Sequence, residues 1–98
     1  MNFAELISAD IRLVILRVLA QDADYSHNEA VILELISMFG HRISQDKLRT
    51  ELAWLAEQNL IRLTDIEGFQ IAQLLPRGAD AASGAASVPG VKRPRPGA

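Results

Sequence analysis

Residues 40–60 read GHRISQDKLRTELAWLAEQNL, and the pattern of this stretch decides the predicted fold. Gly40 is suited to the end of a preceding helix, because glycine adopts positive φ without steric cost. Ser44 is a good N-cap for the next helix, whose leucines recur every three to four residues. Asn59 can end that helix in the left-handed conformation. We therefore predict a helix over 45–58 that follows an earlier helix after a short turn.

Two helices are predicted upstream of this turn. Apolar residues recur at steps of three and four from Phe3 to Leu19, which predicts one long amphipathic helix. Ser26 and Glu29 have the spacing of a capping box, in which each residue caps a backbone N–H of the other. We therefore expect the second helix to begin at Ser26 and to end near Gly40.

Downstream of the third helix the apolar period changes to two on either side of Glu67-Gly68, which predicts a small β-hairpin. Residues 83–98 are rich in Gly, Ala, Ser, Pro and basic residues, so we expect a flexible tail after a domain over 1–82. Three helices followed by a hairpin are typical of a winged helix-turn-helix, a mainly α fold with a small β-hairpin. A plain three-helix bundle with an unstructured tail is the alternative.

The composition describes one small soluble domain without an obvious reaction centre. The chain has 98 residues, 49% of them hydrophobic and 22% charged, and no cysteine, which excludes disulfides and thiolate metal sites. Its apolar runs are too short for a membrane span and its start is not basic, so we expect a cytoplasmic protein. His27 and His41 flank the second helix at opposite ends, and no phosphate-loop or metalloprotease motif is present. We therefore predict no catalytic, metal or cofactor site, and no enzyme.

Charge is distributed unevenly along the chain. Residues 1–80 hold seven Lys or Arg and twelve Asp or Glu, whereas residues 81–98 hold three basic residues and no acid. An acidic body is repelled as a whole from polyphosphate, so any contact with nucleic acid has to be local. The stretch 41–50 is such a local exception, because it carries three cations and one acid.

The predicted partner is double-stranded DNA, with the third helix in the major groove. Gln45, Arg49 and Thr50 are predicted to meet base edges, since Arg pairs with guanine and Gln with adenine. The predicted phosphate contacts lie before and within the third helix, on the hairpin and in the tail, at Arg42, Ser44, Lys47, Arg62, Lys92, Arg93 and Arg95. This hypothesis requires the third helix to present its cations to solvent. The alternative is that these are ordinary solvated residues on the outer face of a helix bundle.

Four segments of the chain carry a resemblance to a known family. Residues 15–20 read ILRVLA, residues 40–44 GHRIS, residues 49–60 RTELAWLAEQNL and residues 88–94 VPGVKRP. They resemble small winged-helix proteins of Mu-like phages and prophages, a family similar to the ArsR and MarR repressors. The resemblance implies DNA binding in the host cytoplasm, with a role in regulating transcription. Asn59 stands where glycine is usual, and the absence of cysteine leaves no basis for metal sensing.

A different class of function competes with DNA binding. The predicted wing carries Asp65 and Glu67, which would repel the phosphates that a wing straddles. Trp54 neighbours Leu55 on the third helix, so only one of the two lies in the leucine stripe; packing at the core edge is preferred for Trp54 over a partner-binding anchor. The alternative function is a non-enzymatic adaptor in late phage development, in DNA packaging or particle assembly, that binds another phage protein.

The first helix also predicts self-association. Leu13 and Leu16 lie outside its apolar stripe, which makes the apolar arc wider than one covered face requires. We expect these two leucines to contact a second copy of the chain. Such a dimer would present two recognition helices to neighbouring segments of the major groove.

Overall fold

A computed structural model describes residues 2–96 and gives a mixed α/β architecture, with four helices and a three-stranded antiparallel sheet in that part of the chain. Its elements, in chain order, are α1 (Phe3–Ala20), β1 (Ser26–Asn28), α2 (Glu29–Met38), α3 (Gln45–Glu57), β2 (Ile61–Ile66), β3 (Phe69–Leu74) and α4 (Pro76–Ser83). None of the helices between residues 2 and 96 is long and apolar enough to cross a bilayer.

Local signals set the bounds of α3 as expected. Ser44 is the N-cap, and its Oγ accepts a hydrogen bond of 3.0 Å from the backbone N–H of Lys47. Asn59 follows the helix with φ of 59°, in the left-handed region that asparagine tolerates. Gly40 ends the preceding helix with φ of 94°. The predicted helix, turn and terminator are therefore confirmed.

The start of α2 differs from the prediction. Ser26 does not cap a helix but lies in β1, where it pairs with Gln73 of β3. Asn28 is the N-cap instead, and its side-chain oxygen accepts from Val31 N at 2.9 Å. Ser26 and Glu29 have the right spacing for a capping box. However, residues 26–28 pair with β3 as strand β1, so the helix begins only at Glu29. The carboxylate of Glu29 is consequently available for another role.

The sheet has the strand order β1-β3-β2, with β3 in the centre. Ile61 pairs with Leu74 at one end of the β2–β3 hairpin and Ile66 pairs with Phe69 at the other. Glu67 and Gly68, the predicted turn residues, both have positive φ, at 50° and 86°. Two consecutive positive φ values are what a two-residue type I′ turn requires, and this turn matches the twist of the strands.

The core corrects the predicted dimer surface. Leu13 is 4% exposed and Leu16 is fully buried, so neither side chain is available to a second copy. The wide apolar arc of α1 is covered within the chain, because α2, α3, β3 and α4 all pack against this helix. The exposed large apolar residues of α1 lie in its first two turns, at Phe3, Leu6 and Ile7.

The segment after α4 also differs from the prediction, which placed a flexible tail from residue 83. Val88 is buried in the core. The carbonyl of Gly90 accepts from Arg12 Nη1 at 2.9 Å, and Lys92 N donates to the carbonyl of Ala9 at 3.1 Å. Apolar burial and paired backbone groups thus hold this segment along α1. The folded part extends beyond the predicted boundary at 82.

Candidate functional site

The first turn of α3 is where the sequence predicted contact with bases. The side-chain nitrogens of Gln45, which begins α3, and of Arg49, one turn later, contact Glu29 at the start of α2. Gln45 Nε2 donates to Glu29 Oε1 at 2.6 Å. Arg49 donates twice, from Nε to Oε1 at 2.8 Å and from Nη2 to Oε2 at 2.9 Å. The side-chain nitrogens predicted to meet base edges are thus engaged within the chain at these two residues, and their contact with DNA stays a prediction.

Glu29 is the centre of this arrangement, because its side chain joins three elements while only 2% of the residue is exposed. Besides Gln45 and Arg49, it accepts the backbone N–H of Gln70 on β3 at 2.6 Å. The hydrogen bond from Arg49 outweighs the effect of burial, and with the bonds from Gln70 and Gln45 it lowers the pKa of Glu29 from 4.5 to about 2. Glu29 therefore remains an anion and holds Arg49 in place.

Arg49 also ties the β2–β3 hairpin, the predicted wing (Ile61–Leu74), to α3. Its Nη2 donates to the carbonyl of Gly68, in the turn between β2 and β3, at 2.9 Å. The partnership with Glu29 raises the pKa of the Arg49 guanidinium above its ordinary value. One guanidinium thus links α3 to α2 and to the hairpin turn.

A second buried glutamate engages Lys47, the other cation of α3. Glu51 is 1% exposed, and its Oε2 lies 3.1 Å from Lys47 Nζ. Its Oε1 accepts from Arg12 Nε of α1 at 2.9 Å. Burial would raise the pKa of Glu51, but Lys47, Arg12 and the hydroxyl of Ser8 hold it below the ordinary value. Lys47 is still partly exposed, and it shares the carboxylate of Glu51 with Arg12.

Six residues of α3 are exposed; Gln45 and Lys47 contact Glu29 and Glu51, and the other four lie at helical spacing on the outward face, namely Asp46, Thr50, Ala53 and Glu57. Thr50 is the one predicted base-contacting residue that lies on this face. Its hydroxyl donates back to the carbonyl of Asp46 at 3.1 Å. Because two of the four residues are acids, this face is poorly suited to the negative potential of a DNA groove.

The tip of the wing combines acids with exposed apolar side chains. Ile66 and Phe69 face each other across the two strands and both are exposed. Asp65 and Glu67 flank Ile66 along the chain, and Asp65 Oδ1 accepts from Gly68 N at 3.0 Å. We call Asp65, Ile66, Glu67 and Phe69 the wing tip. The acids of the wing tip were predicted from the sequence. The alternating pattern that predicted the two strands did not predict that Ile66 and Phe69, the apolar pair next to the turn, are exposed.

The predicted phosphate contacts divide into engaged and unengaged residues. The Ser44 hydroxyl accepts the capping bond at the start of α3. Lys92 Nζ lies 3.2 Å from Asp10 Oδ1, and Asp10 also contacts His41. Between residues 2 and 96, no ion pair is formed by the exposed cations Arg42, Arg62, Arg93 and Arg95.

Arg17 is a cation that the sequence analysis did not single out. It lies in the last turn of α1 and lines a polar surface depression of about 400 Å³ together with Arg93 and Arg95. The rest of the lining comes from the end of α4 and the following tail, at Ala82, Ser83, Gly84, Pro94 and Pro96. We call this depression the arginine pocket. No sequence signal could have found it, because its arginines meet through the path of the tail.

Trp54 packs within the molecule, as its preferred interpretation proposed. The guanidinium of Arg12 lies 3.9 Å from the centroid of its ring, within the range of a cation–π contact. A Cβ on Gly90 would lie 2.6 Å from the same ring, so the tail passes directly over it. Trp54 is half-buried, and its chain neighbours account for that burial.

Comparison with known proteins places the chain among phage proteins. No family model matches it. It is 43% identical over 92 residues to the uncharacterized protein gp26 of Escherichia phage Mu, a match that covers 94% of this chain and 95% of gp26. It is also 44% identical over 78 residues to an uncharacterized protein of Haemophilus influenzae, covering 79% of this chain and 76% of that protein.

Among solved structures, a chain from the complex structure of hsRosR-S1 is similar in fold. The two superpose with a TM-score of 0.66 over 81% of this chain and 70% of that chain. Their sequences are 20% identical, so the similarity concerns the fold alone.

Proposed function

The chain belongs to the family of gp26 of Escherichia phage Mu, and from this premise we propose that it is a non-enzymatic phage protein with a winged-helix fold that binds another protein. The order of α2, short turn, α3 and β2–β3 hairpin supports the winged-helix assignment. The fold similarity to the hsRosR-S1 chain also supports it. In this proposal α3 and the wing form a protein-binding face and do not recognise a DNA sequence.

The observation that carries the proposal is the orientation of Lys47 and Arg49 toward buried carboxylates. A base or a phosphate would have to compete with Glu51 for Lys47 and with Glu29 for Arg49. Loss of Arg49 would leave the buried Glu29 without an ion-pair partner, and loss of Lys47 would leave the buried Glu51 with Arg12 alone. Removing charged partners from buried carboxylates is costly, so this exchange would work against DNA binding. The remaining charge on α3 and the wing is mainly negative, which would repel a duplex further.

The wing tip supports a protein as the partner. Ile66 and Phe69 form an exposed apolar centre, and Asp65 and Glu67 form an acidic rim around it. Apolar or aromatic centres with polar rims are typical of protein–protein interfaces. Charge complementarity then selects a partner surface with an apolar centre and a basic rim.

The test compares two exposed apolar pairs. The full-length chain with an affinity tag is purified from cells that produce the phage, late in its development, with Ile66 and Phe69 changed to Ser in one variant. The matched control changes Met38 and Phe39 to Ser, an exposed apolar pair at the end of α2. We expect one phage protein to co-purify with the native chain and with the control, and to be lost from the wing-tip variant. Retention of that protein by the wing-tip variant would overturn the proposal.

A DNA-binding assay tests the competing function, sequence-specific recognition of DNA. Duplexes of random sequence are enriched through several rounds of selection with the full-length chain. We expect no base preference to emerge, because the exposed face of α3 carries no unpaired cation within the described residues. An enriched sequence whose binding is lost in Thr50→Ala and Arg42→Ala would restore sequence-specific DNA recognition and exclude the proposed role of this face.

A further inference from the structure

The arginine pocket brings together three cations from distant parts of the chain. Arg17 comes from the last turn of α1, and Arg93 and Arg95 come from the tail. None of the three forms an ion pair with any carboxylate in the range 2–96. This concentration of uncompensated positive charge is unusual in a chain whose formal net charge is −2.

The fold builds the pocket by fixing the tail on both sides of it. Lys92 N donates to the carbonyl of Ala9, which aligns the tail with α1. Further along, Pro94 packs on Gly84, where a Cβ would lie 3.3 Å from Pro94 Cγ. Gly84 has φ of 89° and ends α4 in the left-handed conformation. Arg93 and Arg95 therefore flank a proline that is held against the end of α4, and Arg17 lines the same depression.

The chemistry of the pocket points to phosphate. Guanidinium groups bind phosphate oxygens through paired, charge-assisted hydrogen bonds, and they remain charged at any physiological pH. Pro94 and Pro96 restrict the backbone between and after the tail arginines, so less conformational freedom is lost when an anion binds.

We propose that the arginine pocket binds the phosphodiester backbone of nucleic acid without reading its sequence. Arg93 and Arg95 are exposed, and a single phosphate gains little from an exposed ion pair in water. A chain of phosphates gains more, because each contact releases condensed counterions. The pocket is a depression open to solvent, so a strand can pass along it. This site is separate from the wing tip and does not depend on the proposed function.

The experiment measures binding of the full-length chain to a fluorescent 20-base-pair duplex by anisotropy, between 50 and 200 mM salt. Three phosphate contacts on a duplex predict that affinity falls about 40-fold over this range. The double variant Arg93→Ala, Arg95→Ala retains one contact, so we expect a fall of only about 4-fold. The control Arg42→Ala, Arg62→Ala removes the same charge from two exposed arginines elsewhere and should retain the full dependence. Equal losses in both double variants would overturn the proposal, since net charge alone would then explain the binding.

Arg17→Ala distinguishes binding by the arginine pocket from binding by the basic tail alone. We expect this single change to reduce the salt dependence by about one contact, although Arg17 is far from the tail in sequence. An unchanged salt dependence would overturn the pocket, because the tail alone would then suffice. The thermal unfolding of each variant, followed by circular dichroism, verifies that the fold is intact.

Competition distinguishes a backbone site from a site for a small phosphate ligand. Pyrophosphate and inorganic phosphate are added at constant ionic strength to the complex with the duplex. We expect no displacement at micromolar concentrations of either anion. Displacement at those concentrations would overturn the backbone proposal in favour of a small ligand. The wing-tip variant should bind the duplex as the native chain does, so this proposal and the proposed function can fail independently.

Discussion

The cations at the start of α3 and those of the arginine pocket have the same chemistry but opposite surroundings. Arg49 meets a carboxylate that is almost fully buried, 20 residues away in sequence. Arg93 and Arg95 meet no carboxylate within residues 2–96. A positive stretch of sequence is therefore not the same as a positive surface. Cations of the first kind hold the fold together, and cations of the second kind remain available to a ligand.

The largest effect is expected where α3 depends on its buried partner. Glu29→Ala leaves the Gln70 N–H without its acceptor and removes the two hydrogen bonds that hold Arg49 against α2. Buried groups that lose a hydrogen-bond partner cost about 1–3 kcal/mol each, so we expect the free energy of unfolding to fall by about 3 kcal/mol. Urea denaturation of the native chain and the variant measures this fall.

The control for this comparison is Glu34→Ala, which removes an exposed carboxylate from the same helix. It should change the free energy of unfolding by less than about 0.5 kcal/mol. If Glu29→Ala behaved like Glu34→Ala, the contacts of Glu29 would not hold the wing and α3 together. The contrast between the two groups of cations would then disappear.

Acid should remove the same contribution from the native chain. The pKa of Glu29 is about 2 in the fold against 4.5 ordinarily, so the unfolded chain takes up a proton first as pH falls. The stability supplied by this carboxylate is therefore fully present above about pH 5 and is lost as pH falls through the folded pKa. We expect the stability difference between the native chain and Glu29→Gln to shrink between pH 5 and pH 2. A difference that stays constant in urea titrations over this range would contradict the ion pair.

The same contrast shows which features of the molecule could be predicted from the sequence. Ser44, Asn59 and the Glu67-Gly68 turn act through their immediate neighbours, so caps and turns could be predicted from the sequence. The family relationship was also carried by continuous segments, and the similarity to gp26 of phage Mu confirms its phage character. The identity of each free cation could not be predicted, since ion pairs join residues that the fold brings together.

Three features of the fold escaped prediction for the same physical reason. β1 is three residues long and exists because β3 offers it a partner far along the chain. Leu16 was expected on a dimer surface, but α4 and the other elements around α1 bury it within the chain. Val88 lies in a segment whose composition is typical of disorder, and yet one buried valine and two backbone contacts to α1 anchor that segment. In each case the decisive partner lies outside the local sequence window.

A smaller effect is expected from a change in the geometry of the arginine pocket that leaves its charge intact. Gly84→Ala places a side chain at φ of 89° and against Pro94. The strain should lower the free energy of unfolding by about 1 kcal/mol and displace Arg93 and Arg95 from Arg17. We expect the salt dependence of duplex binding to weaken while the net charge is unchanged. Duplex binding identical to that of the native chain would mean that the three arginines act as separate charges.

The smallest effects compare one cation from each group. Lys47 is 43% exposed at its side chain, but it is one of two cations on buried Glu51, so Lys47→Ala should lower the free energy of unfolding by about 0.5–1 kcal/mol. Arg95→Ala removes a charge that no described carboxylate balances, and it should lie within about 0.5 kcal/mol of the native chain. The test is which variant loses more stability. If only the exposure of the side chain mattered, the two variants would lose similar amounts. Urea denaturation measures both losses of stability. A larger loss for Arg95→Ala than for Lys47→Ala would show that Arg95 stabilises the fold. It would contradict the view that this arginine of the pocket is available to a ligand.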